Sequence, residues 1–202
     1  MAPMDEPLIL ASVSPIRKKL LAAAGLKVRV EPALVDEEAI KRIFRADRQA
    51  AADCALALAE AKAWQVAENH RHTLVVGADQ ILVCDEIWLS KPADLADARA
   101  QLQALRGRTH KLVTAVCVVR EVARIWHTVS SAKLTLRHFS DAFLDTYLGA
   151  EQAAALGSVG GYRFEERGIQ LFSDIQGDYF AILGLPLLKL LSFLRTCGAL
   201  AS

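Results

Sequence analysis

An aspartate in an oily stretch needs a reason to be there, and Asp79 is such a residue. It belongs to Gly77-Ala78-Asp79-Gln80, with Leu74-Val75-Val76 before it and Ile81-Leu82-Val83 after it. Burying a carboxylate among such neighbours is costly unless a cation or a hydrogen-bond network holds it. Two kinds of chemistry would use it there: binding a divalent metal, or acting as a general base on water. The plain alternative is a turn aspartate at a strand end or bulge, helped by Gly77.

A second group is Ser12-Val13-Ser14-Pro15-Ile16-Arg17-Lys18-Lys19. The start of a helix here would offer unpaired N–H groups and a positive dipole end, and Ser12, Ser14, Arg17 and Lys18 add donors and charge at the same point. That outlines an anion site. The same residues also suit an ordinary capped helix with solvated bases. Neither G-x-x-x-x-G-K-[ST] nor G-x-G-x-x-G occurs, so the two commonest phosphate loops are excluded.

Lys62 lies in an Ala-Leu-Ala-Glu-Ala-Lys-Ala helix and Lys91 precedes Pro92. Two lysines near one aspartate would suit a polyphosphate, while each alone reads as a solvated side chain. Asp36-Glu37-Glu38 reads as a solvated acidic turn that could lend a second carboxylate to a metal. His70, His72, His110, His127 and His138 form no H-E-x-x-H pattern, and no G-x-S-x-G elbow supports serine-hydrolase chemistry.

Strand and helix patterns alternate, which predicts an α/β fold with a mixed sheet. Leu8–Ser12 reads as a strand, and the next helix has Ser14 as N-cap, Pro15 at its first position and Gly25 beyond its end. A strand is expected over 28–33, then a long Ala-rich helix capped by Asp47 and running to about Asn69. Strand 73–84 should turn at Asp85-Glu86 into strand 87–89. Asp94 caps a helix that stops at Gly107, strands follow over 109–119 and 124–138, and Ser140 caps a helix ending at Gly149. Short strands over 169–173 and 179–183 and an apolar helix over 185–197 complete the expectation.

The 202 residues, 53% hydrophobic with 24 basic against 23 acidic side chains, suffice for one domain over 1–202 with a full core. A formal net charge of +1 argues against a dedicated nucleic-acid partner. Cys54, Cys84, Cys117 and Cys197 have no metal-ligand spacing and read as buried thiols in a reducing, cytoplasmic setting. The acidic N-terminus does not resemble a secretory signal, and the most apolar run, 181–194, is interrupted by Pro186 and Lys189 and too short for a membrane span.

Taken together, the segments 8–21 (Leu-Ile-Leu-Ala-Ser-Val-Ser-Pro-Ile-Arg-Lys-Lys-Leu-Leu), 76–80 (Val-Gly-Ala-Asp-Gln), 89–92 (Leu-Ser-Lys-Pro), 105–110 (Leu-Arg-Gly-Arg-Thr-His) and 177–187 (Gly-Asp-Tyr-Phe-Ala-Ile-Leu-Gly-Leu-Pro-Leu) resemble, in order, the Maf (septum-formation inhibitor) family of nucleoside triphosphate pyrophosphatases. The resemblance implies hydrolysis between the α and β phosphates to a monophosphate and pyrophosphate, with Mg²⁺ or Mn²⁺. It also implies an elongated mixed sheet flanked by helices, two lobes with a cleft, and a homodimer. Family members clear non-standard nucleotides, and some are linked to arrest of cell division. Carried over by position, Asp79 is the catalytic acid and metal ligand, Glu37 the second acid, and Lys62 and Lys91 the catalytic lysines. Ser12 and Arg17 match the family's anion-binding loop, to which the reading of the residues themselves adds Ser14 and Lys18 as substrate-binding. Ile16, Gln80 and Glu165 stand where the dTTP/UTP-preferring branch carries Arg, Thr and Gln, and so resemble the 7-methyl-GTP branch instead. The alternatives are a pyrimidine-preferring enzyme and a nucleotide binder without turnover.

Overall fold

A computed structural model describes residues 7–201; the acidic N-terminal segment lies outside them. Alternation of apolar runs and helical patterns gives β1 (Leu8–Ala11), α1 (Pro15–Ala23), β2 (Val28–Val30), α2 (Glu37–Ala46), α3 (Ala51–Ala67), β3 (Val75–Cys84), β4 (Ile87–Leu89), α4 (Leu95–Leu105), β5 (Thr109–Arg120), β6 (Ala123–Leu136), α5 (Asp141–Glu151), β7 (Phe172–Gln176), α6 (Tyr179–Ile182) and α7 (Leu187–Thr196). The seven strands form one sheet in the order β2-β1-β3-β5-β6-β7, with β4 paired to β3. β1 runs parallel to both β2 and β3, whereas β4 is antiparallel to β3 and β7 to β6. The sheet is mixed, as expected.

Two hairpins turn on two residues each. Asp85 and Glu86 (φ 45° and 67°) join β3 to β4, and Glu121 and Val122 (φ 54° and 60°) join β5 to β6. Positive φ at both central positions is the condition that matches a tight turn to the twist of its strands.

Several expected boundaries move. Asp47 does not cap a long helix; it ends α2, and α3 starts at Ala51 without a side-chain cap. α2 replaces the acidic turn expected at 36–38, because Asp36 Oδ1 accepts from Ala39 N at 2.9 Å and Glu37 and Glu38 complement the dipole of the first turn. The strand expected over 179–183 is instead the helical turn α6, capped by Asp178 Oδ1 accepting from Ala181 N at 2.7 Å. Residues 167–171 form a 3₁₀ turn, and β7 begins only at Phe172.

The chain divides into two compact units. The first holds residues up to Gln80, 114–130 and those from Asp178. Its core takes the even positions Leu8, Leu10, Val76, Ala78, Val116 and Val118 on one sheet face, against Leu21 of α1 and Leu187, Leu190 and Leu194 of α7. The odd face of β3 is covered by α3, whose buried stripe is built mainly from small residues: Cys54, Ala55, Leu58, Ala59, Ala63, Val66 and Ala67. A Cβ at Gly77 would overlap the Ala59 carbonyl oxygen and lie 2.9 Å from Ala63 Cβ. The second unit holds residues 81–113 and 131–177. There His110 is buried among Tyr162 and Phe172, its Nε2 2.7 Å from the Tyr162 hydroxyl and its Nδ1 without a partner among the described residues.

All four cysteines are free; Cys54, Cys84 and Cys117 are buried as expected, and Cys197 is only half-buried. Among the described residues, no helix is long and apolar enough to cross a membrane.

Two tests follow from this packing. Gly77→Ala forces α3 away from β3, an overpacking expected to cost about 1–3 kcal/mol. Calorimetry should show it as a lower Tm, at about 2–4 °C per kcal/mol for a chain of this size; an unchanged Tm would show that α3 yields freely. Burial pushes the His110 pKa down from 6.5 to about 4. The unfolded chain therefore takes up a proton below about pH 6.5 that the folded chain refuses until about pH 4. The corresponding stability is present above pH 6.5 and is lost as the pH falls through this window, by on the order of 3 kcal/mol. Urea unfolding at pH 7 and pH 4.5 should show a smaller acid loss for His110→Phe than for wild type, and equal losses would place the proton elsewhere.

Candidate active site

The site is built where the parallel strands end. In register, Ala11 of β1 stands opposite Gly77 of β3, which sets Ser12 level with Ala78. Side chains alternate along β3, so Asp79 leaves on the same face as Gly77 and Gln80 on the opposite one. Lys62 comes one helical turn after Ala59, whose carbonyl touches Gly77, and is thereby brought over Asp79.

Lys62 Nζ lies 2.5 Å from Asp79 Oδ1 and 2.7 Å from Glu37 Oε1. Asp79 and Lys62 are only 5% and 8% exposed, so the pair is held away from bulk water. The charges continue outward in alternation. Lys41 Nζ is 3.8 Å from Glu37 Oε2 and 3.1 Å from Glu38 Oε1, and Arg45 is 3.6 Å from Glu38 Oε2. Asp79 Oδ2 is buried with no hydrogen-bond partner among the described residues. A buried oxygen without a partner costs stability.

Arg17 fastens the strand ends together. Its Nη1 donates to Ser12 Oγ at 3.0 Å and to Ala78 O at 2.9 Å, while Nε donates to Gly184 O at 2.8 Å. The side chain is buried, and burial pulls its pKa below the ordinary arginine value against the opposing charges of Asp79 and Glu37. Ser14 precedes α1 at its N-cap position, but its side chain makes no cap bond; its N–H donates to Ser12 Oγ at 3.3 Å. Ile16 is half-buried and Lys18 exposed.

Gln80 faces inward. Its Nε2 donates to Thr114 Oγ1 at 2.8 Å, Ala181 O at 3.0 Å and Ile182 O at 3.1 Å, and the Thr114 hydroxyl also donates to Ala181 O at 2.9 Å. This amide orders the α6 turn. Thus Ser12, Arg17, Glu37, Lys62 and Asp79 share one connected cluster in the first unit, with Gln80 on the other sheet face. Lys91, exposed between β4 and α4, and Glu165, half-buried on the turn before the 3₁₀ segment 167–171, lie in the second unit.

Sequence reasoning missed Lys41 and Thr114. A lysine on a charged helix reads as solvated, and a threonine within a β-branched run reads as strand; the available signal for Lys41 was its i,i+4 and i,i+3 spacing from Glu37 and Glu38.

No three His, Cys, Asp or Glu side chains among the described residues gather into a metal site. The donor set nonetheless fits a hard cation: Asp79 Oδ2 is uncommitted and Glu37 shares the same lysine. One or two carboxylates completed by phosphate oxygens and water is how Mg²⁺ is commonly held.

Residues 7–197 match the family model described as Maf-like protein. The chain is 50% identical over 192 residues to a nucleoside triphosphate pyrophosphatase of Paramagnetospirillum magneticum, covering 95% of this chain and 99% of that one. It is 47% identical over 202 residues to a protein of the same name in Rhodospirillum rubrum, covering all of both. A 7-methyl-GTP pyrophosphatase of Rhizobium meliloti is 47% identical over 197 residues, covering 98% of this chain and 99% of that one. With its five sequence segments, its mixed sheet and a match along nearly its whole length, the chain belongs to the Maf-like protein family.

Proposed function

We propose that the protein hydrolyses nucleoside triphosphates between the α and β phosphates, releasing a nucleoside monophosphate and pyrophosphate. The observation that carries this is the Lys62 ammonium between Asp79 and Glu37, beside a buried Asp79 oxygen with no partner among the described residues. The near-identical lengths and names of the relatives support it.

Attack of water on a polyanion needs charge neutralisation more than covalent chemistry. In this reading the N-terminus of α1, with Ser12 and Ser14, receives phosphate oxygens, and Lys18 adds charge at the rim. Arg17 fixes the loop to β3. Lys62 offsets charge that builds up as the bridging oxygen departs, and Asp79 Oδ2 orients and polarises the attacking water. A divalent cation, Mg²⁺ or Mn²⁺, held by Asp79 and Glu37, would neutralise phosphate charge and acidify bound water. Lys91 takes its catalytic role from the sequence motif.

For the base we propose guanine, methylated at N7. Glu165 supplies a carboxylate that accepts from the guanine N1–H and exocyclic amine, and its charge favours the cationic methylated ring over a neutral one. Relatives in Rhizobium meliloti and Mesorhizobium japonicum carry the name 7-methyl-GTP pyrophosphatase, each at 47% identity. Ile16 supplies no charge that would favour a pyrimidine carbonyl. The homodimer is likewise a proposal from the family resemblance.

Purified chain with Mg²⁺ or Mn²⁺ is expected to release pyrophosphate and monophosphate in equal amounts, and Asp79→Asn to lower kcat by about 10²–10³-fold. Turnover unchanged in the variant would reject the site. Across 7-methyl-GTP, GTP, dTTP and UTP, kcat/KM should be highest for the methylated guanine nucleotide. Pyrimidines turned over as well or better would overturn the base assignment while leaving the hydrolase reading intact.

A further inference from the structure

α2 carries Ile40, Ile43 and Phe44, yet the residue it buries is a lysine: Lys41 is 9% exposed. Placing an ammonium there is unfavourable unless carboxylates compensate it, and Glu37 and Glu38 on the preceding turn do so at 3.8 and 3.1 Å. Exposed i,i+4 pairs are worth only a few tenths of a kcal/mol on a helix surface, so surface pairing does not account for burying the partner. Its position does. Lys41 donates to Glu38 Oε1 at 3.1 Å and sets its charge 3.8 Å from Glu37 Oε2, while Lys62 lies 2.7 Å from Glu37 Oε1. The Glu37 side chain is 43% exposed, and Lys62 and Lys41 are both within ion-pair distance of its carboxylate.

We infer that Lys41 is a positioning residue for the reaction: its charge beside Glu37 and Glu38 orients the Glu37 carboxylate so that Oε1 stays on Lys62 and Oε2 faces outward, and the Lys62–Asp79 pair keeps its geometry for the triphosphate. This rests on the proposed pyrophosphatase activity. Lys41 is given no contact with substrate, so its removal should act on kcat through Glu37.

The test is a double-mutant cycle on the full chain, with steady-state pyrophosphate release as the readout and circular dichroism and Tm as the check on folding. Lys41→Met is expected to fold, to lower kcat about tenfold, and to change KM less than threefold. Lys41→Arg, which keeps the charge, should recover most of that loss. In a Glu37→Gln background, Lys41→Met should cost less than twofold more, because the group it positions is already altered. The inference is overturned if Lys41→Met retains kcat within twofold, if its loss in the Glu37→Gln background is undiminished, or if KM rises in place of a fall in kcat. Should Lys41→Met fail to fold, Lys41→Gln and Lys41→Arg decide by the same criteria. A wild type without pyrophosphate release would remove the activity and this inference together; an active wild type with an unaffected Lys41→Met removes the inference alone.

Discussion

The structure around the site depends on one buried charge, the carboxylate of Asp79, and on the ammonium that meets it. Removing one partner of a buried ion pair typically costs about 3–5 kcal/mol, since the other is left uncompensated. Lys62 answers Asp79, but Lys62 is itself buried and shared with Glu37. Each further carboxylate is met by a further cation, Lys41 and then Arg45, until the row reaches solvent. The arrangement places an acid, a lysine and a second acid in fixed order without stranding a charge in the interior. Within this row, Asp79 Oδ2 is buried without a hydrogen-bond partner among the described residues.

Backbone packing makes that charge placement possible. α3 reaches the sheet because its inner stripe is mostly alanine and because Gly77 has no side chain; Asp79 and Lys62 then meet as the next functional positions along their own elements. Arg17 adds a second fastening, from the carbonyl next to Asp79 to the loop before α1 and to Gly184 after α6. Gln80 and Thr114 secure α6 from the opposite face. The end of β3 and the α6 turn are thus held by Arg17, Gln80 and Thr114 donating to backbone carbonyls, a cheap way to satisfy buried groups and a rigid one.

Elements with a strong local signature were legible in the sequence. The Ser-Pro start of α1, the Asp85-Glu86 turn, the Asp94 and Ser140 caps and the long β-branched strands all carry their own stop and start chemistry. α2 was not read because three consecutive acids suggest a solvated turn; only the bond from Ala39 N to Asp36, with Glu37 and Glu38 in the first turn, shows them as a helix start. Tyr-Phe-Ala-Ile-Leu has β propensity, but Asp178 caps it and Gly184 at φ 90° ends it, so tertiary contacts to Gln80 and Arg17 prevail over propensity. Asp79 stood out because its environment is costly. Lys41 did not, since burial of a lysine depends on packing between α2 and α3 that no local pattern encodes.

Cys54 illustrates how far the charged row reaches. Burial foremost, then the charge of Asp79, pushes its thiol up to about 11 against the opposing charges of Lys41 and Arg45. A thiol this hard to ionise is a poor nucleophile and a poor metal ligand. The sulfur therefore acts as inert packing at the edge of the cluster, leaving hard oxygen donors and ammonium groups to meet a polyphosphate. That division suits phosphoryl chemistry, in which the protein's task is to place charge accurately and not to form a bond of its own.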